Sequence, residues 1–343
     1  MQKVLVSIVI PIYNAEDYIR DCVLGIFAQT FTYWELILIN DGSTDNSKNI
    51  CDALSKQDGR IKVVHKHNSG VSNTRNIGID IARGKYIIFL DADDYWYEND
   101  ALAKLVNYAE KYELDIVRGE YKAVDSDSND VFIRPLSSKK KDFSYKVLTS
   151  GQFYTKIMCG ENFLVLNLIK RSSIGTLRFN EDRVFLEDME FFAYLLLRPL
   201  KCMFIPLRFY AYRKLTTSAS HTPSIKKLSD GFAMCNIFDE CYAIAEDIDL
   251  RMSYKRNRVM KYYLTLKNLS SSVFYAKRHS IIEELNLVTL QQQVCDWAQK
   301  ECLSYPIYVY LNPKISVGVI RFVHFCKVYL TLLRRQISRV LHF

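Results

Sequence analysis

Three aspartates, Asp91, Asp93 and Asp94, follow directly on the apolar run Tyr86–Leu90. A buried strand that ends in carboxylates is arranged to hold a cation. Asp91 and Asp93 lie two residues apart, so in an extended segment both face one ligand. A divalent ion such as Mg²⁺ or Mn²⁺ takes one or two carboxylates and completes its shell with water and substrate phosphates. Two other strand ends carry comparable groups: Pro11, Tyr13 and Asn14 after the first apolar run, and Asn40 and Asp41 after the second. Tyr13 offers a flat face to a base. Asp41 offers an acceptor to a base N–H. The expected ligand is a nucleoside diphosphate held through metal, because neither G-x-x-x-x-G-K-[ST] nor a strand-following G-x-G-x-x-G is present.

These groups need a scaffold that brings strand ends together. Apolar runs at Val4–Ile10, Trp34–Ile39, Ile61–His65, Tyr86–Leu90 and Leu114–Val117 alternate with amphipathic stretches. The spacing predicts βαβ units and a mostly parallel sheet covered on both faces. Helices are expected to about Ala28 (with Asn14 and Asp17 at its start), to about Lys56, over Gly70–Ile81 and over Asp100–Lys111. Open α/β sheets bind ligands at the carboxyl ends of their strands, where all of these polar residues fall. The polar stretch from Val124 to Tyr145, with Lys139–Lys141, reads as a loop.

The motifs PIYN, INDGSTD, NSGVSNTRNIGI and YIIFLDADDYW resemble, in order and spacing, those of family 2 glycosyltransferases with the GT-A nucleotide-sugar fold. The resemblance covers Val4 to about Trp96. It implies inverting transfer of a sugar from a nucleoside diphosphate, usually UDP, with Mn²⁺ or Mg²⁺. It puts Tyr13 at the uracil ring, Asp41 at the uracil N–H, Arg75 on the nucleotide, Asp91 near the ribose and Asp93 on the metal. FNEDRVFLEDMEFF resembles the family's second signature, which makes Glu187–Asp188 the acidic pair and Asp188 the general base; Glu181 and Asp182 compete for that role. FYAYRKL resembles a Tyr-x-Tyr-Arg strand whose Arg213 reaches the diphosphate. The implied acceptor is a glycan or lipid-linked glycan at the inner face of a bacterial plasma membrane. A catalytically silent nucleotide-binding scaffold is the alternative.

Composition sets further bounds. The chain of 343 residues is 49% hydrophobic and 24% charged, as in globular proteins. Its nine cysteines include no C-x-x-C pair, which favours reduced cytosolic thiols over zinc or disulfides. The chain opens on a strand rather than a signal peptide, and no apolar run is long enough to span a bilayer. Three regions are expected: a nucleotide-sugar half over 1–120, an acceptor and base part over 121–224, and a helical region over 225–343. No acidic residue follows Glu301, so the net charge of +8 is concentrated in the tail. There Arg321, Lys327, Arg334 and Arg335 oppose Phe322, Phe325, Tyr329 and Leu333 at helical spacing. Such a helix binds an anionic membrane surface or packs on the domain or a second copy in a homodimer. Its apolar, aromatic face argues against nucleic acid.

Overall fold

The structure, a computed structural model, describes residues 4–132, 136–215, 222–300, 313, 315–317 and 319–320. Ten strands among these residues form one mixed sheet: β1 (Val6–Ile12), β2 (Trp34–Asp41), β3 (Ile61–Lys66), β4 (Tyr86–Phe89), β5 (Tyr95–Trp96), β6 (Ile116–Val124), β7 (Asp130–Phe132), β8 (Val147–Leu148), β9 (Asn167–Lys170) and β10 (Cys202–Arg213). The main order is β3-β2-β1-β4-β9-β6-β10-β5. The first four strands are parallel, joined through α1 (Ile19–Phe27), α2 (Ser47–Gln57) and α3 (Gly70–Ile81). β9 runs against both β4 and β6, while β6 and β10 are parallel to each other.

Every residue of β2 is buried, as its near-continuous apolar sequence requires of a strand covered on both faces. The core is built from Val6, Ile8 and Ile10 of β1, Leu36 and Leu38 of β2, and Ile88 of β4. It continues into Leu102 and Leu105 of α4 (Ala101–Lys111). α3 lies close on β1, since a Cβ at Gly78 would collide with the Val9 side chain. Strand order reverses at β1: β2 and β3 build outward on one side, and β4 lies on the other. The carboxyl ends of β1 and β4 therefore flank a topological switch point, where such sheets open a crevice.

Three local expectations are corrected. Asn14 does not begin a helix; it has a φ of 48° and accepts from the Thr44 backbone N–H at 2.8 Å. Asp91–Asp94 is not extended but a turn, closed by the Asp94 N–H on the Asp91 carbonyl at 3.1 Å. Between Val124 and Tyr145 the chain forms β7 and a short helix, Ser138–Asp142. There Lys140 pairs with Glu120 at 2.7 Å and Glu161 at 3.3 Å, which anchors the segment on β6.

The chain divides into two compact units, Met1–Thr222 with Ile244–Ser253, and Pro223–Ala243 with Tyr254–Phe343. The second is helical, with a core that includes Leu228, Phe232, Val259, Tyr262, Leu266 and Ile281. Among the described residues no helix is long and apolar enough to cross a membrane. The basic tail beyond Ile320 lies outside the described residues.

Candidate active site

A cleft of about 850 Å³ opens at the carboxyl edge of the first unit. Pro11, Tyr13 and Asn14 line it from the end of β1, Asp41 from the end of β2, and Asp91 and Asp93 from the turn after β4. Six residues singled out in the sequence thus share one cavity. Tyr13 is 53% exposed, so its ring has little packing role and is open to a ligand. The loops after β1 and β2 are clasped together. Glu16 accepts from Asn46 N–H at 2.8 Å, and Asp45 accepts from Glu16 N–H at 3.0 Å. Gly42 makes the turn with a φ of 68°, and a Cβ there would stand 2.7 Å from the Asn68 nitrogen.

Asp41 is buried and held by three donors. The Ser69 and Gly70 N–H groups, where α3 begins, reach it at 2.8 and 2.9 Å, and the Lys66 ammonium donates to it as well. Lys66 carried no role in the sequence reading. Its place beside Asp41 follows from the β2–β3 register, which pairs the two residues.

The carboxylate turn is tuned by its own crowding. Burial, and then the charge of Asp91, push Asp93 up to about 6. Desolvation first, with Asp93 and Asp91 behind it, holds Asp94 well above the usual carboxylate range. Asp94 has its partners on β10. It accepts from the Tyr210 hydroxyl at 2.5 Å and from the Arg213 N–H at 2.7 Å, so β10 supports the turn from below. A half-buried carboxylate pair in which Asp91 raises the proton affinity of Asp93 suits a divalent cation, and the two would hold it with the phosphates of a ligand. Among the described residues no group of three or more metal-ligating side chains gathers, so such an ion would depend on its ligand for the remaining positions.

Behind the cleft, Arg75 joins two regions far apart in sequence. Its guanidinium donates to Glu187 at 2.8 Å and to Asp91 at 3.2 Å. Burial opposes its charge, but Asp91 and Glu187 outweigh this and raise its proton affinity. Glu187 and Asp188 begin the helix Glu187–Leu195, whose N-terminal dipole favours negative charge. The residue before them, Leu186, has a φ of 66°, a strained conformation for a bulky side chain. Desolvation, and then Glu187, push Asp188 up to about 7, against the opposing pull of Arg75. Its carboxylate accepts the Met189 N–H at 2.7 Å.

The competing acids stand apart from that network. Glu181 lines the cleft but is engaged by Asn73 and Asn76 at 3.0 and 2.9 Å, bonds that lower its proton affinity. Asp182 is exposed. Arg213 is buried between the rings of Tyr18 and Tyr95, 5.3 and 5.0 Å from their centres, and pairs with Asp21 at 2.9 Å. Sequence reasoning passed over Arg118, which is fully buried on β6. It donates to the Phe163 carbonyl at 3.3 Å, and desolvation lowers it to about 10.

The sheet order, the cleft at the switch point and the carboxylate turn define a GT-A type of α/β protein. Comparison with known proteins agrees. Residues 7–168 match the model for glycosyl transferase family 2. Glycosyltransferase GlyG of Streptococcus pneumoniae serotype 4 is 34% identical over 227 residues, which cover 64% of this chain and 73% of GlyG. The fold is similar to that of S. aureus TarS 1-349 in complex with UDP, with a TM-score of 0.59 at 17% identity over 78% of this chain and 72% of that one. It is also similar to mannosyltransferase PcManGT from Pyrobaculum calidifontis in complex with GDP-Man and Mn²⁺, with a TM-score of 0.53 at 13% identity over 93% of this chain and 87% of that one. The chain belongs to glycosyl transferase family 2.

Proposed function

We propose that this glycosyltransferase moves a sugar, with inversion, from a UDP-sugar to a hydroxyl of a lipid-linked or polysaccharide acceptor in cell-surface glycan synthesis. The observation that carries the reading is the Arg75 bridge, which ties the donor-side Asp91 to the Glu187–Asp188 pair. The structural neighbours that hold UDP, and GDP-Man with Mn²⁺, support a nucleotide-sugar donor and a divalent cation. In this reading Tyr13 stacks on the base and Asp41 accepts its N–H. Asp91 and Asp93 hold Mn²⁺ or Mg²⁺, which when bound neutralises charge on the diphosphate.

Asp188 takes the proton of the acceptor hydroxyl. The oxygen attacks the anomeric carbon on the face opposite the diphosphate, and the carbon–diphosphate bond breaks. A proton affinity near neutrality fits that task, because the group is then ionised enough to accept and basic enough to hold. Arg213 supports the carboxylate turn and adds positive charge on the diphosphate side. Residues 1–120 supply the donor site, 121–224 the acceptor side and base, and 225–343 a helical region whose tail rests on the inner face of the plasma membrane. A screen of UDP-, GDP- and dTDP-sugars with Mn²⁺, read as nucleoside diphosphate release, tests the donor. Release from none of them would refute it.

A further inference from the structure

Lys66 and Asp41 sit side by side at the ends of β3 and β2, with side chains only 13% and 6% exposed. The hydrogen bonds around them can be counted. An ionised carboxylate has about four acceptor positions. Asp41 Oδ1 takes the Lys66 ammonium and the Ser69 N–H, and Oδ2 takes the Gly70 N–H. One position remains, on Oδ2, and Asp41 lines the cleft. Lys66 has three protons, and each has an acceptor: Asp41, the His67 carbonyl at 3.1 Å and Thr74 Oγ1 at 3.4 Å. No donor of Lys66 is left over for a ligand, so it acts on the ligand only through Asp41.

We propose that Lys66 is a positioning residue that sets nucleobase specificity, holding Asp41 in place with a single open acceptor position. This rests on the reading of the cleft as a donor-nucleotide site. A fixed anion with one open lone pair accepts a ring N–H, as uracil presents at N3. Cytosine presents a lone pair at the same position and is repelled. Discrimination of this kind is steep, because the wrong base leaves two buried acceptors facing each other. Without Lys66 only the Ser69 and Gly70 N–H groups hold the carboxylate, a second acceptor position opens on Oδ1, and its geometry toward the base is less fixed. Loss of Lys66 therefore narrows the preference rather than only weakening binding.

The test measures dissociation constants of UDP, CDP and N3-methyl-UDP with Mn²⁺, for the full chain and for Lys66→Met, Lys66→Gln and Lys66→Arg. The intact protein is expected to bind UDP at least tenfold tighter than either of the others. Lys66→Met should shrink the UDP:CDP ratio at least fivefold, and Lys66→Arg should restore most of it. Lys66→Gln, a neutral donor, carries the same expectation if Lys66→Met does not fold. A ratio unchanged in the neutral variants overturns the inference. So does equal binding of all three nucleotides by the intact protein, which would leave Asp41 as an anchor for the start of α3 while the donor reading stands. Failure of the intact protein to bind any of these nucleotides overturns both.

Discussion

Replacing Arg75 with glutamine should move the acid limb of the pH–rate profile. Asp188 stands at about 7 as a balance: desolvation and Glu187 raise it, and Arg75 lowers it. Arg75→Gln removes the cation and frees Glu187 from its pair, so both changes push the same way. Loss of a nearby opposite charge shifts a carboxyl by about 1–3 units, and the lower figure is taken here. A base at about 7 is about half ionised at pH 7, whereas one at about 8 is about one-tenth ionised. The maximal rate should therefore fall about fivefold at pH 7 and about tenfold at pH 6, and return to near parity at pH 9. The assay is kcat against pH with saturating donor and Mn²⁺, so that metal has already displaced the proton of Asp93. A fall of equal size at every pH would refute the reasoning: Arg75 would then act on binding or folding, and Asp188 would not be the base. Stability carries its own sign. The folded protein holds the Asp188 proton more tightly than the unfolded chain, whose value is near 4. The resulting stabilisation is complete below that value and is lost as pH rises through about 7.

Further outcomes are expected. Asp93→Ala, or EDTA on the intact protein, should cut turnover by about 10²–10³-fold, measured as nucleoside diphosphate release. Because Asp93 must shed a proton held to about 6, Mn²⁺ should raise the melting temperature more at pH 8 than at pH 5. Asp188→Asn should abolish transfer while the dissociation constant of UDP stays within about twofold; full activity with a dead Asp182→Asn would move the base. Tyr210→Phe strips a donor from the buried Asp94 and should cost about 1–3 kcal/mol in chemical denaturation, with weaker Mn²⁺ binding. Removing residues 314–343 should release the protein from anionic liposomes and leave donor hydrolysis nearly unchanged; unaltered liposome binding would refute the membrane role of the tail.

The sequence exposed the wall of the cleft better than what stands behind it. Strand ends are legible because an apolar run that stops at Asp41 or Asp91 marks both the edge and the chemistry. α3 was read over Gly70–Ile81, where it forms, since its apolar period is clear and Gly70, at a φ of 87°, starts it. β6 was read too short. Arg118, Glu120 and Lys122 break the apolar pattern, and their contacts, such as Lys140 on Glu120 and Arg118 on the Phe163 carbonyl, form only in the folded chain. The role of Asp94 is not legible in the sequence, because its partners on β10 lie more than a hundred residues away. The Asp91–Asp94 turn was missed for a related reason. Periodicity says where a strand runs but not how its last residues bend, and here the bend brings Asp91 and Asp93 together without a shared strand face.

The dependence of Asp94 on β10 has a consequence for how the chain is born. Synthesis runs from the N-terminus at about 5–20 residues per second, so Tyr210 and Arg213 leave the ribosome several seconds or more after the carboxylate turn. β10 then takes its place between β6 and β5, in the interior of the strand order. Until it does, Asp94 lacks both of its donors, and the turn that presents Asp91 and Asp93 has no floor. The emerging chain therefore cannot finish this loop early. A polypeptide arrested before Arg213 would carry Tyr13, Asp41, Asp91 and Asp93 and still lack the support that fixes the carboxylate turn in place.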